Sequence, residues 1–131
     1  MPVQWTNDLA VGITEIDDQH KELFRRINDL LEAADRGKDR GEIDKFVAFL
    51  QNHLVTHFAT EEKYMLRYGY PHYTRHKARH TLFIMHFTGM KRGNPIASIA
   101  QYTTDWLLDH IDKADKALGA FLTSIQTKKA A

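Results

Sequence analysis

The sequence predicts an all-α protein that folds as an up-down-up-down four-helix bundle with an extended N-terminal arm. Four segments carry apolar side chains at the three- and four-residue spacing of one buried helix face. The connections between these segments are short and contain glycine or proline, which end or begin helices. With 131 residues, of which 43% are hydrophobic, the chain is long enough to bury one core. We therefore expect residues 1–131 to form a single domain.

The arm is predicted over residues 1–16, because the apolar residues there follow no helical period. The first helix is predicted over residues 17–37, with Asp17 as its N-cap and Ile16 packing in front of it. Gly37 ends this helix. The inward face of the first helix is predicted to consist of His20, Leu23, Phe24, Ile27, Leu30, Leu31 and Ala34.

The second and third helices are predicted over residues 42–66 and 72–90. Gly69 and Pro71 separate them, because glycine permits a positive φ and proline cannot continue a helix. The inward face of the second helix is Ile43, Phe46, Val47, Leu50, Leu54, His57, Glu61, Tyr64 and Met65. The inward face of the third helix is Tyr73, His76, His80, Phe83, Ile84 and Phe87.

The fourth helix is predicted over residues 95–125. Asn94 suits the N-cap and Pro95 the first helical position. The inward face is Ile96, Ile99, Thr103, Trp106, Leu107, His110, Ala114, Leu118, Phe121 and Ile125.

The composition excludes several classes of protein. The chain has no cysteine, so disulfides and thiolate-bound metals are excluded. Its 18 basic and 17 acidic residues are mixed along the chain, which argues against nucleic acid as a partner. No apolar run approaches the roughly 18 residues of a membrane span, and the N-terminus carries no leader pattern. We expect a cytoplasmic protein without stable membrane insertion, and the charged helix exteriors favour a monomer.

Six polar residues on the inward faces indicate a metal site. His57 and Glu61 are four residues apart, as are His76 and His80, so each pair points from one side of a helix. The first and fourth helices add His20 and His110. A single inward histidine is more often a hydrogen-bonded core residue, but several buried imidazoles and a carboxylate could hardly satisfy one another without a metal. These ligands suit iron, zinc, manganese or cobalt.

A second carboxylate is expected on the fourth helix, where the candidates are Asp109, Asp112 and Asp115. Regular helix geometry does not choose among them, because Asp115 lies about 140° around the helix from His110 and the others are also off the inward face. The remaining histidines, at positions 53, 72 and 86, lie at the margins of the inward faces or off them, so they are left out of the ligand set.

Four motifs resemble the hemerythrin family, specifically its bacterial single-domain members. They are IDDQHKELF (16–24), HFATEE (57–62), HYTRHKARH (72–80) and WLLDHIDKAD (106–115). The resemblance covers the chain from Trp5 to about Ile125. It implies two iron ions bridged by an oxo or hydroxo oxygen. One iron would be bound by His76, His80 and His110, the other by His20 and His57, and both by the bridging carboxylates Glu61 and Asp115. For Asp115 to face inward, the fourth helix must contain a π-bulge or widened turn after His110.

This ligand set would leave one of about twelve coordination positions open, on the iron with two histidines. The resemblance therefore implies a non-haem dioxygen-binding protein that stores, transports or delivers dioxygen. The pocket for dioxygen is expected to include Phe24, Phe58, Trp106 and Leu107, of which Leu107 resembles the pocket residue of the family. The other interpretation of these residues is ordinary core packing.

The expected partners are dioxygen and an oxygen-consuming enzyme that receives it, and the chain itself is not expected to be an enzyme. Three alternatives use the same bundle: a sensor of oxygen or redox state, a diiron enzyme acting on peroxide or nitric oxide, and a bundle that only sequesters iron or is stabilised by zinc.

Overall fold

The computed structural model describes residues 3–130, with the side chains of residues 3–126. Its helices are α1 (Thr14–Asp35), α2 (Arg40–Tyr68), α3 (Tyr73–Met90), α4 (Ile96–His110), a π-helical turn (Ile111–Asp115) and α5 (Lys116–Ala130). The backbone stays helical on both sides of the π turn, so α4, the turn and α5 together form the fourth helix of the bundle. The predicted all-α four-helix bundle is confirmed.

The four helices enclose one core. α1 and α3 each pack against both α2 and α4, and the short connections make consecutive helices antiparallel. The core is apolar toward one end, where Leu30, Leu50, Phe87 and Ile99 are fully buried. Toward the other end it holds the histidines and carboxylates. None of the helices in the described part of the chain is both long and apolar enough to cross a membrane.

The N-terminal arm ends earlier than predicted, because α1 begins at Thr14. Asp17 is therefore not the N-cap, and this prediction is wrong. Its carboxylate instead accepts hydrogen bonds from the backbone N–H groups of Val11 (2.8 Å) and Gly12 (3.3 Å), so it tethers the arm to the first turn of the helix. The arm contains a short 3₁₀ helix (Asn7–Leu9). Residues 1 and 2 of the predicted arm lie outside the described residues.

The other helix ends differ from prediction by a few residues. Asp39 is the N-cap of α2 and accepts a hydrogen bond from the Glu42 N–H (2.9 Å), so α2 begins at Arg40. α2 continues to Tyr68, where Gly69 adopts the left-handed conformation that ends it. Pro95, and not Asn94, occupies the N-cap position of α4.

The π turn changes which residues of the last helix face the core. A regular helix predicts Phe121 and Ile125 as buried, but both are only partly buried, whereas Leu122 is buried. The extra residue in the π turn rotates the helix that follows, so Leu122 replaces Phe121 on the buried side, whereas Leu118 stays buried as predicted. The same rotation brings Gly119 against the arm, where a Cβ atom would lie 2.0 Å from the carbonyl oxygen of Val11. The arm can approach α5 this closely only because residue 119 has no side chain.

Candidate metal centre

Seven polar side chains meet in the core of the bundle, and each is at most 3% exposed. α1 contributes one of them, α2 and α3 contribute two each, and the fourth helix contributes two. They are the seven residues expected from the sequence: His20, His57, Glu61, His76, His80, His110 and Asp115. The structure therefore brings the whole predicted set together.

Glu61 lies at the centre of this cluster. Its Oε1 atom is 3.0 Å from Nε2 of His80 and 3.2 Å from Nε2 of His76. Its Oε2 atom is 3.3 Å from Nε2 of His57 and 3.8 Å from Nε2 of His20. One carboxylate thus faces two groups of imidazoles with its two oxygens.

Asp115 repeats this arrangement from the opposite helix. Its Oδ1 atom is 3.1 Å from Nε2 of His110 and 3.2 Å from Nε2 of His76, and its Oδ2 atom is 3.0 Å from Nε2 of His20. The predicted π turn is confirmed, since residues 111–115 form one. Because a π turn has more residues per turn than an α-helix, His110 and Asp115 face the same side despite their five-residue spacing.

The cluster divides into two overlapping groups with metal-binding geometry. One group is Glu61, His76, His80, His110 and Asp115, and the other is His20, His57, Glu61 and Asp115. Within each group the ligand atoms all lie within 4.8 Å of one another. The two carboxylates belong to both groups, whereas the histidines divide three to two.

The contacts among these atoms fit a bound cation better than a set of hydrogen bonds. Nε2 of His110 lies 3.1 Å from Nε2 of both His76 and His80, although neutral imidazoles that turn acceptors toward one another gain nothing. Seven buried side-chain polar atoms within the described residues lack a hydrogen-bond partner, and six belong to this cluster. The six include His57 Nε2, Glu61 Oε2 and both oxygens of Asp115. Unpartnered buried groups are costly, and cations placed between them would satisfy them.

Electrostatics in the metal-free cluster favour charged carboxylates. Burial raises the pKa of Glu61, but its contacts with His57, His76 and His80 outweigh burial and hold that pKa well below its usual range. Burial and the charge of Glu61 raise the pKa of Asp115, but its contacts with His110 and His20 outweigh both and lower it. Both carboxylates are therefore ionised and ready to bind cations at neutral pH.

The pKa values of the histidines in this cluster shift in different directions. Burial lowers the pKa of His76, but hydrogen bonds to Asp115 and Glu61 raise it to about 9. The pKa of His20 is also raised, because its contact with Asp115 outweighs burial. Burial dominates at His110 and lowers its pKa. In the absence of metal, protons on His76 and His20 offset part of the carboxylate charge.

Two residues that the sequence analysis missed hold the outer nitrogens of the ligand histidines. Gln19 Oε1 lies 2.8 Å from Nδ1 of His57, and Glu62 Oε2 lies 3.0 Å from Nδ1 of His80. Both residues are sequence neighbours of predicted ligands, which is the only sequence signal for them. Their role depends on how the helices are rotated against each other.

The expected pocket residues lie near the cluster. Phe58 stacks on His80 with a centroid distance of 4.0 Å, and Trp106 stacks on His110 at 4.4 Å. Leu107 is fully buried one turn before His110, and Phe24 is buried in the same core. Trp106 is only partly buried, so its outer edge reaches the surface.

The residues left out of the ligand set lie outside the cluster. Asp109 and Asp112 form ion pairs at the surface with the lysines four residues further along. His53 is partly exposed, 3.9 Å from Glu22. His72 is exposed at the start of α3, and the exposed His86 is hydrogen bonded to the Tyr102 hydroxyl.

A helical bundle whose core holds five histidines and two shared carboxylates belongs to the class of metal-binding four-helix bundles. The family model of the hemerythrin HHE cation binding domain matches residues 11–122. The chain belongs to the hemerythrin family.

Individual relatives agree with this assignment. A bacteriohemerythrin of Methylococcus capsulatus is 34% identical over 127 residues, which span 92% of this chain and 96% of that protein. A hemerythrin-like protein of Naegleria gruberi is 32% identical, over 87% of this chain and 88% of that protein. A crystal structure of wild-type hemerythrin superposes with a TM-score of 0.86 at 30% identity, covering 92% of this chain and 97% of that one.

Proposed function

We propose that this chain is a non-haem diiron protein that binds dioxygen reversibly. The observation that carries the proposal is the pair of overlapping ligand groups, which share Glu61 and Asp115 but differ in their number of histidines. Because both carboxylates belong to both groups, the two groups would hold two cations side by side. One group has three histidines and the other has two, so one cation would have fewer protein ligands.

In this proposal His76, His80 and His110 bind one iron and His20 and His57 bind the other. Glu61 and Asp115 each place one oxygen toward either group, as the distances to Nε2 atoms on both sides support. Two iron ions held by these residues would supply a redox-active centre that can bind dioxygen. The ligand set of five neutral imidazoles and two carboxylates carries only two negative charges, which favours the ferrous state.

The protein around the site would decide what reaches it. All seven ligands are at most 3% exposed, so a diatomic molecule can enter through side-chain movements that a larger organic substrate could not use. Phe58 and Trp106 cover His80 and His110 with flat aromatic faces, and Leu107 is fully buried one turn before His110. These aromatic faces shield the metal position of His76, His80 and His110 from water, and the burial of His20 and His57 shields the other position, so both would lose electrons from ferrous iron slowly. This exclusion of water supports reversible binding over substrate oxidation.

The finer parts of the proposal are the monomeric state and the delivery of dioxygen to an oxygen-consuming enzyme. Oppositely charged side chains are paired along the helix exteriors, as in Glu22 with Arg26 and Arg40 with Asp44, which supports a monomer. The cytoplasmic location stays a prediction.

The decisive experiment combines metal analysis with visible spectra of the reduced protein before and after oxygen is admitted. We expect about two irons per chain and a charge-transfer band that appears with oxygen and disappears on its removal. Two irons that oxidise without a reversible band would indicate a redox sensor or an enzyme, and turnover with peroxide or nitric oxide would identify the enzyme. Fewer than two metal ions per chain would reject the two-metal site itself.

A further inference from the structure

The outer nitrogens of two ligand histidines are held by partners of different charge. Nδ1 of His57 faces the amide oxygen of Gln19 at 2.8 Å, and Nδ1 of His80 faces the carboxylate of Glu62 at 3.0 Å. Both rings direct Nε2 into the cluster. A neutral imidazole binds a metal through Nε2 only if Nδ1 carries the proton, so the partner of Nδ1 matters.

A directed chain of hydrogen bonds fixes the orientation of Gln19. The backbone carbonyl of Thr56 can only accept, so the Thr60 hydroxyl donates its proton there, at 3.1 Å. The Thr60 oxygen is then free to accept from the amide nitrogen of Gln19, at 3.0 Å. With its nitrogen used in this way, Gln19 presents its oxygen to His57 and accepts the Nδ1 proton. A flipped amide would turn donors toward His57 and favour the proton on Nε2, which prevents metal binding.

Glu62 acts on His80 without needing such a chain. A carboxylate has only acceptors, so either oxygen selects the Nδ1 proton of His80. The negative charge of Glu62 also makes the Nε2 atom of His80 a stronger electron donor to a metal. The amide of Gln19 carries no charge and has no such effect on His57. The Glu62 side chain is 23% exposed, so its charge is only partly screened by water. The two groups of ligands thus differ in their supporting residues as well as in their number of histidines.

We propose that Thr60 and Gln19 are positioning residues for the metal bound by His20 and His57, and that Glu62 is the positioning residue for the metal bound by His76, His80 and His110. The smaller number of histidines and the uncharged partner Gln19 together make the His57 position the weaker of the two. This inference rests on the proposed function only in its assumption of two metal positions.

The test is a titration of the metal-free full chain with Zn²⁺. Calorimetry in the presence of a competing chelator measures the affinity of each binding step. Zinc is used because it binds the same nitrogen and oxygen ligands without redox chemistry. The wild-type protein is expected to bind two ions in two resolved steps. Thr60→Val, which keeps the shape of the side chain and removes its hydroxyl, is expected to weaken the second step severalfold and leave the first unchanged. Thr60→Ser is the matched control and is expected to behave as the wild type.

Two further variants change charge and keep shape. Glu62→Gln is expected to weaken the first step by about tenfold, the low end of what an outer partner of a ligating histidine contributes. Gln19→Glu is expected to strengthen the second step and bring the two affinities together. A gain in affinity cannot result from general damage to the fold, so this variant separates positioning from a merely structural role.

The possible failures are distinguishable. If the wild-type protein binds two zinc ions but Thr60→Val behaves as Thr60→Ser, or weakens both steps equally, the positioning role is wrong and the proposed function is unaffected. No gain in Gln19→Glu would reject the role of charge. If the wild-type protein binds fewer than two ions, the two-metal site is wrong and this inference is wrong with it.

Discussion

The two ends of the core are equally buried but are built from opposite chemistry. The apolar end contains Leu30, Leu50, Phe87 and Ile99, all fully buried. The polar end contains the seven metal-ligand candidates, and six of their atoms have no hydrogen-bond partner. The apolar end gains stability from removing hydrocarbon from water, and nothing further is needed there. The polar end gathers groups that are costly to bury unless a ligand satisfies them.

This difference teaches that one bundle can separate stability from function along its length. The apolar end holds the four helices together, so the metal-free chain is expected to fold. The polar end is organised by that scaffold and is completed when metal binds. The following predictions test this division, in order of decreasing effect.

Removing the metal is expected to have the largest effect. A ligand at about 100 times its dissociation constant stabilises a protein by about 3 kcal/mol, so two bound metal ions contribute about 6 kcal/mol, and each kcal/mol raises the melting temperature of a domain this size by roughly 4 °C. Chelation should therefore lower the melting temperature by about 24 °C and leave the helical circular dichroism signal intact. Glu61→Gln is the matched variant, because Glu61 belongs to both ligand groups and its loss should abolish the metal-dependent part. Equal melting temperatures with and without metal in the wild-type protein would contradict a site that joins all four helices.

A cavity at the apolar end should act independently of metal. Leu50 is fully buried, and Leu50→Ala is expected to lower the free energy of unfolding by about 2–5 kcal/mol. Because Leu50 lies away from the ligands, the loss should be the same in metal-free and metal-loaded protein. Denaturant unfolding of both forms measures it. A loss that depends on metal would show that the two ends are not independent.

Stability of the metal-free protein should fall as pH rises. The folded-state pKa of His76 is raised from 6.5 to about 9, so its contribution is complete below pH 6.5 and is lost as pH rises through about 9. The raised pKa of His20 acts in the same direction. The melting temperature of metal-free protein should therefore decrease over this range. In the loaded protein the imidazoles bind metal in their neutral form, so no such decrease is expected. His76→Gln should reduce the slope in the metal-free protein, whereas the same replacement at the exposed His86 should not.

The smallest predicted change separates two equally buried aliphatic residues of α4. Leu107 and Ile99 are both fully buried, but only Leu107 lies one turn from a ligand, His110. Leu107→Ala should admit water beside the site and increase the rate of oxidation to the ferric form severalfold. Ile99→Ala should destabilise the bundle by a similar amount without changing that rate. Stopped-flow spectra of the oxygenated protein measure the rate of oxidation to the ferric form. Equal rates in the two variants would show that Leu107 has only a packing role.

Much of the polar end could be predicted because its ligands follow local helical spacing. His57 with Glu61 and His76 with His80 need only a regular helix to face the same way. Asp115 did not follow from spacing, since a regular helix turns it away from His110, and the family resemblance supplied both the residue and the π turn. The helical spacing rule fails at Asp115 because the backbone from residue 111 to residue 115 is a π turn and not a regular α-helix.

The features that could not be predicted depend on how segments pack against one another and on the irregular turn in the fourth helix. Asp17 fits the sequence pattern of an N-cap, but α1 begins three residues earlier and the Asp17 carboxylate binds the backbone of the arm. The contacts of Gln19 with His57 and of Glu62 with His80 depend on how α1 and α3 are rotated against α2, which the sequence does not give. Phe121 is less buried than predicted and Leu122 is buried, because the extra residue of the π turn changes which side of the last helix faces the core.

The π turn also has a consequence for how this region tolerates a change in length. Residues 111–115 absorb one residue more than an α-helix of the same rise, and the helix on either side keeps its own register. Asp112 and Lys113, at the outer side of the turn, are exposed, so loss of one residue there would remove nothing from the core. The remaining histidine and aspartate would then be four residues apart and would face the same way on an ordinary helix. Deletion of one residue in this segment is therefore compatible with an unchanged metal centre, because the two ligands would keep their spacing in space while their spacing along the chain changes.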